Sequence, residues 1–191
     1  MSRGFLRRQI AGFEREWNYD AAYLYDLINA DPHAMLTFGK VQYLTKYRKD
    51  IPVAAYCAAG LIAVMAEDCG PCTQLAIDMA QREGVDPAVL RAVVTRDYKT
   101  MPYKVALAAR FTEATLDHAP QADDLREEVI RQFGQRGLTS LAFAMVAARC
   151  LPTLKYALGH GKACTRVTVD GARVTVGSET QRVLRQMSKA A

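Results

Sequence analysis

The chain of 191 residues is 50% hydrophobic and 24% charged, which excludes a disordered protein and provides enough apolar residues for one domain with its own core. Twenty-five lysines and arginines against 20 aspartates and glutamates give a net charge of +5, but the two signs are interspersed. No run of five or six like charges is present, so the charge pattern does not indicate a nucleic-acid-binding protein.

Most of the sequence predicts helices joined by short loops. An apolar stripe with helical spacing predicts the first of them: Leu6, Ile10, Phe13 and Trp17. Asp31-Pro32 and Asp86-Pro87 each have the pattern of an N-cap aspartate followed by a proline in the first turn. The most apolar run, from Ile51 to Ala66, is too short to span a bilayer and predicts a buried core helix.

The later helices are marked by glycine and proline. A segment from Leu125 to Phe133 is predicted to end at Gly134. The next, from Leu138 to Leu158, is long and rich in alanine, and we expect it to bend or break at Pro152. The pattern as a whole predicts about eight helices before residue 159.

The C-terminal part has a different pattern. Residues 166–169 and 172–176 alternate between valine and other residues on either side of Asp170-Gly171, which is typical of a two-residue hairpin turn. Pairing across this turn places Val167 opposite Val174. Because an isolated hairpin is marginally stable in water, we expect its valine face to pack on the helices or on a neighbouring subunit.

The predicted fold is therefore all-α with a C-terminal β-hairpin. Residues 1–50 form an N-terminal helical extension, residues 51–160 form the core, and residues 161–191 form the hairpin followed by a short helix at 178–188.

The stretch with the clearest chemical content is Cys69-Gly70-Pro71-Cys72, which follows the apolar helix and two acids, Glu67 and Asp68. If Cys69 is at or beside a helix N-cap, Cys72 falls about one turn later and both sulfurs lie on the same side of the helix start. The backbone amides and dipole there favour a thiolate and lower the thiol pKa. The pair can close a small disulfide, and either sulfur can act as a nucleophile. A thioredoxin fold is excluded because no strand pattern precedes the motif.

This arrangement resembles the carboxymuconolactone decarboxylase / AhpD-like (alkylhydroperoxidase-type) family, whose members are all-helical and carry Cys-x-x-Cys at the start of a helix. The resemblance extends from about Asp50 to Gly159 and includes, besides the motif, Gly84-Val85-Asp86-Pro87 and the segment Leu154–Gly159. It implies an AhpD-like helical bundle that forms a homo-oligomer, often a trimer or a hexamer. It also implies peroxiredoxin-like reduction of small hydroperoxides with a thiol electron donor and no cofactor.

The family's site residues carry over only in part. Cys72 matches the usual peroxidatic cysteine and Cys69 the resolving cysteine. Peroxidases of the family also carry a glutamate twelve positions before the first cysteine and a histidine four positions after the second. These positions are Cys57 and Ala76, so both proton-relay groups are absent there.

Four auxiliary residues are candidates for the missing relay: Glu67, Cys57, Tyr156 and His160. Glu67 is adjacent to the pair, although a carboxylate beside a thiol raises its pKa. Cys57 would serve as a third redox partner. Tyr156 or His160 would reach the site within the fold or from another subunit.

Two alternatives stay open. The absent relay groups favour a redox-inactive or divergent protein of the same fold that binds a small molecule or acts as a lyase. His160 and Cys164 would make a zinc-like ligand set with Cys69 and Cys72 if these remote segments converged. The interpretation that we favour is dithiol chemistry without a bound metal or cofactor.

The N-terminal residues carry charge without an apolar h-region, so we do not expect a secretory signal. We expect a reducing cytoplasm, no membrane partner and no nucleic-acid partner. In that compartment the five cysteines are free, catalytic or metal-binding rather than a structural disulfide framework.

Overall fold

A computed structural model describes residues 2–162 and 166–176, so Cys164 and the predicted helix at 178–188 lie outside the described residues. Within these two ranges, the chain forms eight helices of eight or more residues, one four-residue helical turn and an antiparallel hairpin, which confirms the all-α fold with a C-terminal hairpin. The elements are α1 (Arg3–Trp17), α2 (Ala22–Ala30), α3 (Pro32–Gly39), α4 (Gln42–Thr45), α5 (Val53–Met65), α6 (Gly70–Arg82), α7 (Pro87–Thr95), α8 (Tyr103–Leu116), α9 (Ala122–Ala157), β1 (Arg166–Val169) and β2 (Ala172–Thr175).

Helix α5 is the centre of the fold and packs against α6, α7, α8 and α9. Five consecutive residues, Leu61 to Met65, are all buried, as expected of a helix that is apolar on every face. The prediction of a buried core helix in this run is confirmed. A separate cluster packs Leu6 and Ile10 of α1 against Tyr23 of α2 and extends to Leu75 of α6, which attaches the N-terminal helices to the site described below.

The predicted N-caps are confirmed. The Asp31 carboxylate accepts a hydrogen bond from the His33 backbone N–H at 2.8 Å, and the Asp86 carboxylate accepts one from the Ala88 N–H at 2.6 Å. Each satisfies one of the backbone donors that have no partner inside the helix.

Helix α9 is interrupted at one of the two predicted positions. Gly134, with φ 68° and ψ 179°, is not helical and separates two helical segments, so the predicted end of the Leu125–Phe133 helix at Gly134 is confirmed. Pro152 does not break the helix, which runs on to Ala157. The proline removes one backbone hydrogen bond, but Ala147 and Lys155 on either side of it are buried and hold the segment against the protein.

By length and composition alone, α9 would be able to cross a membrane. The core helix of a soluble protein passes the same test. In this fold Leu141, Ala144 and Met145 pack in one core cluster with α5 and α8. Helix α9 therefore packs as a core helix of a globular domain.

Gly137 marks a close approach between α9 and the chain before α5. A Cβ atom here would lie 2.3 Å from the Phe133 Cβ and 3.4 Å from the Asp50 carbonyl oxygen.

We expect Gly137→Ala to lower the free energy of unfolding by about 1–3 kcal/mol, because the buried Phe133 must move. Gly12→Ala in α1 is the matched control, since the added methyl would meet nothing within 4 Å among the described residues apart from the neighbouring backbone of its own helix, and it should raise stability by about 0.5–1 kcal/mol. Urea unfolding of both variants measures this, and equal shifts would contradict the prediction.

The hairpin packs on the helical body, as predicted. Val167 pairs with Val174, and the turn residues Asp170 and Gly171 have φ of 49° and 72°. Val167 and Val169 are buried in the core cluster that also contains both cysteines of the motif.

One side chain fixes the hairpin to α6. The Gln74 amide nitrogen donates to the Thr168 carbonyl at 3.0 Å, and its oxygen accepts from the Thr168 N–H at 2.7 Å. This double contact holds β1 over the first turns of α6.

Candidate active site

The two cysteines lie where the spacing predicts. Cys69 is the N-cap residue of α6, and Cys72 is in its first turn beside Pro71. They are joined in a disulfide with their Cα atoms 5.3 Å apart, which is within the usual range for such bonds. The start of a helix thus brings both sulfurs together without any further chain segment.

Both sulfurs are less exposed than the sequence suggests. Cys69 is 0% exposed, because Val167 and Val169 of the hairpin pack in the same cluster. Lys162 also contacts the start of α6, since the Gly70 N–H donates to the Lys162 carbonyl at 3.3 Å. These long-range contacts cannot be read from the spacing of the motif.

Cys72 has a different environment from Cys69. It is 4% exposed but forms part of the wall of a cavity of about 450 Å³ between α5, α6 and α9. The cavity has exposed polar side chains at its rim, among them Gln42 and Arg48. Cys72 is therefore the sulfur that a molecule entering the cavity meets.

The two positions at which AhpD-like peroxidases carry their relay glutamate and histidine line this cavity. Cys57 on α5 and Ala76 on α6 both line it together with Cys72. The fold thus places the residues twelve positions before Cys69 and four after Cys72 around one space, although neither carries the family's side chain.

A buried polar chain that the sequence does not reveal lies on the other side of Cys72. The Tyr19 hydroxyl is 3.6 Å from the Cys72 Sγ. The Lys155 ammonium donates to that hydroxyl at 3.4 Å and to the Asp20 carbonyl at 3.1 Å. The same ammonium lies 4.5 Å from the centre of the Tyr19 ring and 5.3 Å from that of Tyr23.

Lys155 is an unusual cation because it is only 1% exposed. Its partners are a hydroxyl, a carbonyl and two aromatic faces. Burial lowers the pKa of Lys155 and raises the pKa of Tyr19, since each charged form loses water. A thiolate at Cys72 would gain the hydrogen bond of Tyr19 and the positive charge behind it.

Cys57 is held as a neutral thiol. Burial, followed by the Glu83 carboxylate, raises the pKa of Cys57 to about 11, and Arg48 offsets part of this effect. Arg48 is ion-paired with Glu83 and lies 4.3 Å from the centre of the Tyr56 ring. Cys57 is therefore a poor nucleophile at neutral pH.

The alkylation of Cys57 should reflect this environment. In a variant with Cys69, Cys72, Cys150 and Cys164 changed to serine, we expect about a hundredfold less thiolate at pH 8 than for an ordinary cysteine. The rate at which Cys57 is alkylated by iodoacetamide should rise about tenfold per pH unit towards pH 11, since only the thiolate reacts. The same variant unfolded in urea is the control and should react as a free cysteine. A plateau below pH 9 in the folded protein would contradict the prediction.

The other auxiliary candidates have partners of their own. Glu67 is ion-paired with Arg149 and accepts a hydrogen bond from the Thr153 hydroxyl at 3.2 Å. The Tyr156 hydroxyl donates to the Asp68 carbonyl at 2.9 Å, which ties α9 to the turn before Cys69. His160 lies with its Nε2 2.7 Å from the Asp26 carboxylate on α2.

Tyr19 and Lys155 are not among the candidate residues that the sequence indicates. Tyr19 has no distinguishing pattern, since it is one of several tyrosines in the N-terminal part of the chain. For Lys155, a signal was present, because it is the one charged residue between Leu151 and Leu158 in an apolar segment. An isolated lysine in such a setting is buried only when it has a specific environment.

The structure offers no support for the zinc alternative. Cys69 and Cys72 are bonded to each other, His160 is paired with Asp26, and Cys164 lies outside the described residues. In the part of the chain that the structure describes, no three His, Cys, Asp or Glu residues are grouped as metal ligands.

Comparisons of this chain with protein-family models, with curated proteins and with solved structures find no match.

Proposed function

We propose that this chain is a thiol–disulfide oxidoreductase that reduces hydroperoxides through Cys72 and Cys69. The observation that carries the proposal is the disulfide at the start of α6 with one of its two sulfurs, Cys72, in the wall of a cavity. A nucleophile needs access to its substrate, whereas a resolving thiol needs access only to the nucleophile. The burial of Cys69 and the position of Cys72 suit these two roles.

The proposed reaction begins with the reduced pair. The Cys72 thiol releases its proton, and the thiolate attacks one peroxide oxygen. The O–O bond breaks, the departing alkoxide takes up a proton equivalent to the one released and leaves as the alcohol, and Cys72 becomes a sulfenic acid. The Cys69 thiol then attacks the Cys72 sulfur, the disulfide forms, and water leaves. A thiol donor restores both thiols by exchange and is itself oxidised to a disulfide.

Tyr19 and Lys155 supply the electrostatic support that the absent glutamate and histidine would give. In the reduced protein the Tyr19 hydroxyl, which lies 3.6 Å from the Cys72 Sγ, turns its proton from the Tyr23 hydroxyl to the thiolate, and the Lys155 ammonium stabilises that arrangement from behind. Both groups are held in place by burial, so little reorganisation is needed when the thiolate forms.

The family assignment is part of the proposal. The convergence of Cys57, Ala76 and Cys72 on one cavity supports an AhpD-like core. We also propose a homo-oligomer, a trimer or a hexamer, in the cytoplasm. Light scattering coupled to size-exclusion chromatography tests the oligomer, and a monomer at micromolar concentration would contradict it.

Thiol titration tests the chemistry. The reduced protein should lose two thiols per chain with tert-butyl hydroperoxide, and Cys72→Ser should abolish this loss. Cys150→Ser is the matched control, since Cys150 is a half-buried thiol on α9 that donates to the Val146 carbonyl. If Cys72→Ser behaves like the wild type, the proposal fails and the redox-inactive alternative is favoured.

A further inference from the structure

The cavity beside Cys72 is larger than a small hydroperoxide requires. Its volume of about 450 Å³ is in the range that proteins use for drug-sized ligands. The wall is formed mainly by aliphatic side chains of α5, α6 and α9, including Leu61, Val64 and Leu75. A ligand that fills it must be largely apolar.

A second cavity extends the apolar space. It has a volume of about 310 Å³ and reaches Met35 and Phe38 of α3. Five side chains belong to the walls of both cavities: Phe13, Gln42, Thr45, Ala147 and Leu151. The two spaces are therefore neighbours, and together they suit a long chain better than a compact molecule.

The charged side chains that line the larger cavity lie at its exposed edge. Its charged members are Lys46, Arg48 and Glu83, all of them exposed. Glu83 is ion-paired with Arg48, which leaves the charge of Lys46 unbalanced. Within residues 2–162 and 166–176, the recorded contact of the Lys46 ammonium is the Tyr43 ring, with its centre 5.0 Å away. The rim thus carries a net positive charge in front of an apolar space.

We propose that this cavity binds a long-chain fatty acid, with the carboxylate at Lys46 and Arg48 and the chain along the aliphatic walls towards Cys72. The substrate is then the hydroperoxide of a long-chain carboxylic acid, an assignment that rests on the proposed function. Its O–O bond breaks at Cys72, the hydroxy acid leaves, and the Cys72–Cys69 disulfide forms with release of water.

Binding of oleate tests the site without any redox step. Isothermal titration of the full chain with oleate below its micelle concentration should show one site per chain. Lys46→Glu should weaken the affinity about tenfold by reversing the rim charge. The control is Lys99→Glu, which reverses an exposed lysine away from the cavity and should leave the affinity unchanged. Ala148→Trp, which fills the cavity wall, should abolish binding.

Three results would overturn the inference. They are no binding of oleate, binding of butyrate as tight as that of oleate, and unchanged oleate binding in an Ala148→Trp protein with wild-type circular dichroism. If Ala148→Trp fails to fold, the comparison of Lys46→Glu with Lys99→Glu decides, and equal affinities overturn the inference.

The proposed redox function and the proposed fatty-acid site can be rejected independently of each other. The double variant Cys69→Ser/Cys72→Ser has no dithiol and should still bind oleate. Oleate binding without peroxide-dependent thiol loss would reject the proposed function alone. Reaction with tert-butyl hydroperoxide without oleate binding would reject the fatty-acid site alone. With both intact, Lys46→Glu should slow the reaction with linoleic acid hydroperoxide at least several times more than the reaction with tert-butyl hydroperoxide, which has no carboxylate.

Discussion

Replacing Lys155 by methionine is expected to stabilise the protein slightly and to slow its reaction with peroxide, two effects of opposite sign. Lys155 is fully buried, and its hydrogen-bond partners are the Tyr19 hydroxyl and the Asp20 carbonyl. Methionine fills a similar volume and removes the cost of burying a charge, while the Asp20 carbonyl loses its donor. We expect a net gain of about 1 kcal/mol in the free energy of unfolding.

The same substitution, Lys155→Met, should lower the reactivity of Cys72 towards peroxide. Without the cation behind Tyr19, the Cys72 thiolate is less stabilised and its pKa rises. The rate of peroxide reduction should fall about a hundredfold at pH 7. The pH profile of Cys72 alkylation should move to higher pH, which a purely structural role of Lys155 would not cause. Lys99→Met, at an exposed position, is the control. An unchanged profile in Lys155→Met would remove Lys155 from the mechanism.

Introducing the glutamate and histidine of AhpD-like peroxidases should increase the proposed activity. In the double variant Cys57→Glu/Ala76→His, both new side chains would enter the cavity that Cys72 lines. A carboxylate and an imidazole placed there would transfer protons to and from the reacting atoms, which contributes about 10²–10⁴-fold in typical enzymes. We therefore expect peroxide reduction to be about a hundredfold faster or more.

The matched control is Cys57→Gln/Ala76→Asn, which adds polar side chains that do not titrate near neutral pH. It should not exceed the wild-type rate. Stopped-flow measurement with tert-butyl hydroperoxide compares the three proteins. Equal rates for the two double variants would show that proton transfer at these positions is not what limits the reaction.

Local rules account for the features that the sequence predicts well. An aspartate before a proline caps α3 and α7, and Asp170-Gly171 forms the hairpin turn, because each depends on residues within one turn of itself. The placement of Cys69 and Cys72 at the start of α6 belongs to the same class.

The remaining features depend on contacts between distant parts of the chain. Lys155 binds the Asp20 carbonyl 135 positions away, and Gln74 pairs with Thr168 over 94 positions. Neither contact has a periodic pattern that a single sequence displays. The continuity of α9 through Pro152 is similar, since it is packing by other helices that keeps the segment helical.

The burial of Cys69 in the core cluster with the hairpin valines has a kinetic consequence for the proposed cycle. The peroxide and the thiol donor must both approach the pair through the cavity at Cys72, and they cannot occupy it together. Turnover should follow ping-pong kinetics, with the donor inhibiting competitively at high concentration. Thiol donors that carry the thiol on a narrow, extended group should reduce the Cys69–Cys72 disulfide faster than folded protein donors, whose thiols lie close to the protein surface.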